Sequence, residues 1–71
     1  MIETTVKVDG MMCGMCESHV NEAVRRAFPE VKKVSSSHSR GQTVIQSEQP
    51  LDERKLREAI NATGYEVKGV K

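Results

Sequence analysis

Cys13 and Cys16 are the residues of this sequence whose type and spacing best suit chemistry. Two residues separate them, so both sulfur atoms can reach one metal ion without help from distant parts of the chain. Soft thiolate ligands select Cu(I), Zn(II) or iron–sulfur clusters. A structural zinc site needs four protein ligands, and an iron–sulfur cluster usually needs four cysteines. Because Cu(I) accepts low coordination, the isolated pair favours copper.

The two cysteines fall between a predicted strand and a predicted helix. Alternating β-branched residues predict a half-buried strand over 2–8, which Asp9-Gly10 ends. Apolar residues at steps of three and four predict a helix over 16–28, which Pro29 ends. Cys16 then lies in the first helical turn, where unpaired N–H groups favour the thiolate that binds metal.

The remaining sequence predicts a second set of similar elements. A weak strand over 31–38 and a better strand over 43–48 flank a turn and form a hairpin. Asp52 is the expected N-cap of a second helix that ends near Gly64, and a short strand follows. This order predicts an α+β, ferredoxin-like βαββαβ sandwich, in which two helices cover one face of a four-stranded antiparallel sheet.

Length and composition exclude several classes of function. A chain of 71 residues has room for one small domain, so we expect a single domain over residues 1–71. A net charge of +1 and a near absence of aromatic residues argue against nucleic-acid binding. No apolar run could span a membrane, and no signal-peptide segment is present. We therefore expect a soluble, cytoplasmic protein, complete from Met1 to Lys71.

The segment Gly10-Met11-Met12-Cys13-Gly14-Met15-Cys16 resembles the Gly-Met-x-Cys-x-x-Cys signature of the heavy-metal-associated domain family. That family includes soluble copper chaperones and the amino-terminal domains of copper-pumping P-type ATPases. The resemblance extends over nearly the whole chain, at Val31, Val34 and Gly64-Tyr65. It implies the ferredoxin-like fold, Cu(I) held between two cysteine sulfurs, and transfer by thiolate exchange with a partner that carries the same motif.

The resemblance also implies roles for single residues. Cys13 and Cys16 match the metal ligands, and Met11 matches an inward-pointing methionine that supports the loop. Tyr65 matches a position near the metal where bacterial chaperones often have tyrosine, which favours a bacterial-type chaperone. Its ring either shields the metal loop from solvent or caps the core. Met12 stands where zinc-selective relatives often have an acidic residue, which favours copper.

We expect four further residues of the segment to shape the loop without binding metal. Gly10 and Gly14 permit backbone conformations that other residues resist. Met12 and Met15 are better explained by loop packing than by thioether ligation, because methionine fills irregular gaps.

The two histidines are not expected to bind the metal. His19 lies three residues after Cys16 and should be exposed at the edge of the apolar helix stripe. His38 lies at the end of the hairpin and should be too distant to have a role. Ser36 and His38 also stand where the family usually has inward apolar residues, so we expect a looser second strand.

These observations favour a soluble Cu(I) metallochaperone without enzymatic activity. Its expected partner is a copper-transporting P-type ATPase or a copper-responsive regulator, docked transiently. We expect a monomer, with a metal-bridged dimer as an alternative. Three other functions stay open: a metal-binding domain of a larger transporter, a carrier of Zn(II) or Hg(II), and a thiol redox protein.

Overall fold

A computed structural model of the chain describes residues 1–12 and 14–71. The described elements are β1 (Ile2–Asp9), α1 (Gly14–Ala27), β2 (Lys33–Ser37), β3 (Gln42–Ser47), α2 (Glu53–Asn61) and β4 (Glu66–Val70). The predicted order of strands and helices is therefore confirmed.

The four strands form one sheet in the order β2-β3-β1-β4. Each neighbouring pair is antiparallel, and β1 lies inside the sheet, with Val6 opposite Thr43 on β3 and Val70 on β4. The register between β1 and β4 shifts between Lys7 and Val8, next to Gly69. This β-bulge explains why the apolar alternation fails at the end of the chain. The predicted ferredoxin-like fold is confirmed.

The apolar core lies between the sheet and the two helices, which contact each other. Each helix contributes two buried aliphatic residues spaced four apart, so that they share one face. The largest completely buried apolar side chains are Val6, Val20, Val24, Ile45, Leu56 and Ile60. Burial of one such side chain stabilises the folded state by about 1.5–3 kcal/mol. The core thus holds α1, and Cys16 at its start, against the sheet.

The predicted bounds of β1, α1, β2 and β3 each differ from the structure by one or two residues. The first helix begins at Gly14 rather than at Cys16, so Gly14 and Met15 are helical. The second strand covers 33–37 rather than 31–38. Val31 precedes this strand because its N–H donates to the carbonyl of Phe28 at 3.1 Å and closes a turn after α1. His38 follows the strand, in the turn to β3.

The second helix has the predicted start. Asp52 is its N-cap, and the Asp52 side chain accepts a hydrogen bond from the backbone N–H of Lys55 at 3.2 Å. The helix ends at Asn61, with Ala62 as its C-cap, and Gly64 has a positive φ of 99° two residues later. Within the described ranges, neither helix has the length and apolar character needed to cross a membrane.

Candidate metal site

Cys16 lies in the first turn of α1, as predicted. Its side chain is half-buried and packs against the apolar core. The N–H groups of this turn have no partners within the helix, and they favour negative charge such as that of a thiolate. The predicted second ligand, Cys13, lies outside the described residues. The structure thus places one expected ligand, Cys16, at the start of α1, where the sequence predicted it.

Gly10 and Tyr65 meet where the chain leaves β1 for the metal loop. Gly10 has a φ of +104°, and a Cβ atom at this position would lie 3.2 Å from Cδ1 of Tyr65. Glycine is therefore required both by the backbone conformation and by the neighbouring ring. Tyr65 is half-buried against the core, so its ring joins the core to the start of the loop. Gly14, in contrast, is helical and needs no positive φ, which corrects the role expected for it.

The three methionines of the loop segment have different surroundings. Met11 is buried, with 7% of its surface exposed, so the expected inward orientation is confirmed. Met12 and Met15 are 80% and 70% exposed. Side chains this exposed contribute little packing, so the structure gives no support to their expected role in the loop. Two flexible thioether side chains instead project into solvent beside the cysteine motif.

His38 lies closer to the start of α1 than the sequence suggested. Its backbone N–H donates to Oε2 of Glu17 at 2.8 Å, and its ring Nδ1 lies 2.6 Å from the same oxygen. Glu17 directly follows Cys16, so the expectation that His38 would be distant from this region is wrong. The backbone N–H of His38, and then its ring, lower the pKa of Glu17 below the ordinary value of 4.5.

A second polar contact joins α1 to the sheet one helical turn further on. Ser36 Oγ donates to Oδ1 of Asn21 at 2.6 Å and lies 2.8 Å from Oγ1 of Thr43. Thr43 is completely buried, so its hydroxyl needs such a partner. These hydrogen bonds tie β2 to α1, which opposes the looseness expected for this strand.

Sequence reasoning missed both polar contacts, although a signal for them is present. The predicted inward face of the second strand carries Ser36 and then His38, where apolar residues would normally pack. Glu17 and Asn21 are spaced four apart on the helix, so they present polar groups along one line. Pairing Glu17 with His38 and Asn21 with Ser36 would have predicted how α1 lies against β2.

His19 is exposed, as predicted. It lines a shallow groove between the two helices, together with Glu22, Ala23, Arg26 and Thr63. In the described part of the chain, no group of three or more His, Cys, Asp or Glu side chains is placed to hold a metal ion.

Comparison with known proteins identifies the type of domain that this chain forms. The family model of the heavy-metal-associated domain matches residues 5–66 of the sequence. No curated protein sequence is significantly similar to the chain. Among solved structures, the CopZ metallochaperone is 27% identical with a TM-score of 0.82, and the match covers 93% of this chain and 98% of that one.

Two other structures extend the comparison. The copper chaperone Atx1 from Synechocystis PCC6803, in its Cu2 form, is 28% identical with a TM-score of 0.77, over 90% of this chain and 97% of that one. A copper-binding domain of HMA7, a P-type ATPase, is 23% identical with a TM-score of 0.81, over 100% and 99% of the two chains. The similarity to the HMA7 domain shows that the two chains share a fold. Because the family model matches residues 5–66, which make up most of this chain, the chain belongs to the heavy-metal-associated domain family.

Proposed function

We propose that this protein is a Cu(I) metallochaperone that holds one Cu(I) ion between the thiolates of Cys13 and Cys16. The observation that carries the proposal is the position of Cys16 in the first turn of α1, three residues after the other cysteine in the sequence, in a heavy-metal-associated fold. Similarity to CopZ and Atx1, a metallochaperone and a copper chaperone, supports the same function. The protein would carry its metal without a catalytic reaction.

Transfer would proceed by exchange of thiolate ligands. Two thiolates leave coordination positions of the ion open, so a cysteine thiolate of a partner can bind before one of the two protein thiolates leaves. Each step forms one copper–sulfur bond and breaks another, and copper stays in the +1 state throughout. The positive end of the helix dipole at the first turn of α1 would favour the thiolate form of Cys16 both before binding and after release.

The proposed partner is a cytoplasmic copper-binding domain of a P-type ATPase, with a copper-responsive regulator as the alternative. Similarity in fold to the copper-binding domain of HMA7 supports the first choice, because two domains of one shape can present matching cysteine loops to each other. Met12 and Met15 would lie at the edge of this contact, where their exposed thioether side chains can adapt to different surfaces. We expect the free protein to be a monomer.

Anaerobic titration of the reduced protein with Cu(I), against a competing chelator, tests the proposal. We expect one tightly held Cu(I) ion per chain that Zn(II) does not displace. The double variant Cys13→Ser/Cys16→Ser should lose this binding, whereas Met12→Leu/Met15→Leu should keep it. Binding that is unchanged in the cysteine variant, or displaced by Zn(II), would contradict the proposal.

A second candidate function is that of a metal-binding domain within a larger transporter, which the resemblance to the HMA7 domain favours. The length of the native transcript decides between this domain and a separate chaperone. A thiol redox function predicts that the metal-free protein reduces the disulfides of insulin with turnover, and we expect no such activity.

A further inference from the structure

Glu17 and His38 form a side-chain contact that the proposed copper exchange does not use. One carboxylate oxygen, Oε2 of Glu17, accepts the backbone N–H of His38 at 2.8 Å and lies 2.6 Å from its ring Nδ1. Glu17 is partly sheltered, with 26% of its side chain exposed. The contact joins the turn between β2 and β3 to the first turn of α1.

The location of this contact gives it a consequence for Cys16. Glu17 is the next residue along α1, so whatever restrains its backbone also restrains the cysteine. Core packing restrains the helix further along, where Val20 and Val24 are completely buried. The first turn has no completely buried side chain among its described residues, 14–17. Cys16 itself packs only partly against the core, so the contact with His38 adds a directional restraint to this turn.

We propose that His38 is a positioning residue for metal transfer, which acts through Glu17 to hold Cys16 in place for Cu(I). This inference rests on the proposed function, because it concerns the retention of copper by that same site. Residues that orient metal ligands from outside typically change metal affinity by about 10- to 100-fold when mutated. Because His38 acts through a neighbour of the ligand, we expect its removal to change the affinity for Cu(I) by about 10-fold or less.

His38→Ala compared with His38→Asn tests the ring contact. Asparagine Nδ2 lies the same number of bonds from Cα as histidine Nδ1, so it can donate to Glu17 at the same place. We expect Cu(I) to pass to a chelator several-fold faster from His38→Ala than from the wild type, and His38→Asn to restore the slow rate. His19→Ala, which removes the exposed histidine of α1, is the matched control and should release copper at the wild-type rate.

Two further measurements distinguish positioning from a general loss of stability. Hydrogen exchange at the amides of residues 14–18 should become faster in His38→Ala, while exchange in β1 and the urea midpoint stay nearly unchanged. Glu17→Ala should release copper at least as fast as His38→Ala, because it also removes the bond from the His38 backbone N–H, and adding His38→Ala to it should change little.

Three results would overturn the proposal. Release at the wild-type rate from His38→Ala, failure of His38→Asn to restore slow release, or fully additive effects of the two alanine variants would each contradict it while leaving the copper function intact. A wild-type protein that binds no Cu(I) would instead contradict the proposed function, and this inference with it.

Discussion

The two βαβ halves of the fold attach their helices to the sheet in different ways. In the second half, α2 completely buries Leu56 and Ile60, and Asn61 Oδ1 at its end accepts the backbone N–H of Val67 at 3.2 Å. In the first half, α1 buries Val20 and Val24 and adds side-chain hydrogen bonds at two successive turns. These connect Glu17 with His38, and Asn21 with Ser36, whose hydroxyl also bonds that of Thr43.

The difference shows that burial and orientation are supplied by different interactions. Apolar burial is non-directional, so it holds a helix on a sheet without strongly defining its rotation or register. Hydrogen bonds depend on distance and angle, so two of them in a line define how a helix lies. The half with these bonds is the half that carries Cys16.

The largest expected effect on the free energy of unfolding comes from removing a buried apolar side chain in the second half. Leu56→Ala removes a completely buried side chain and should lower the free energy of unfolding by about 2–5 kcal/mol. Urea denaturation followed by circular dichroism measures this change. A loss below about 1 kcal/mol would contradict the description of α2 as held by its apolar face.

A smaller effect is expected from the polar contact in the first half. Ser36→Ala removes the partner of Asn21 and of the buried Thr43 hydroxyl, which should cost about 1–3 kcal/mol. Ser35→Ala, on the exposed side of the same strand, is the control and should change stability by less than about 0.5 kcal/mol. Adding Thr43→Val to Ser36→Ala should recover part of the loss. Equal effects of the two serine variants would contradict the comparison.

Gly10→Ala tests the point where the two halves meet beside the metal loop. Both the positive φ and the close approach of the Tyr65 ring oppose a methyl group there, so we expect a loss of about 1–2 kcal/mol. A Cβ at Gly14 would have no neighbour within 4 Å, and this residue is helical, so Gly14→Ala should be neutral or slightly stabilising. Thermal unfolding of both variants checks this prediction, and a neutral Gly10→Ala would contradict it.

The smallest effect concerns the pH dependence of Glu17. His38 lowers the pKa of this carboxyl in the folded state below 4.5, so the folded protein binds the proton less readily than the unfolded chain. The resulting stability is present above pH 4.5 and is lost as the pH falls through the lower folded pKa. In urea titrations between pH 7 and 3, Glu17→Gln should therefore be less stable than the wild type at neutral pH, with a difference that shrinks in acid. A constant difference would contradict this explanation.

Local patterns predicted most of the fold. The alternation in β1, the spacing of Val20 and Val24, and the capping residue Asp52 each act through neighbours in the chain, so their structural meaning can be recognised without a partner. The predicted ends of helices and strands were wrong where an end depends on a distant contact or on a turn. Val31, for example, has the residue type of a strand, but its N–H closes a turn with Phe28.

The sequence by itself determined the cysteine pair, its place at the junction of the first strand and the first helix, and the unusual backbone conformation open to Gly10, because spacing and backbone conformation are local properties. Only the tertiary structure decided that Met12 and Met15 are exposed and that Tyr65 contacts Gly10. It alone brought His38 to Glu17, across 21 positions of the chain. Such contacts depend on how the hairpin and α1 pack together, and the packing of two elements is set by the whole core.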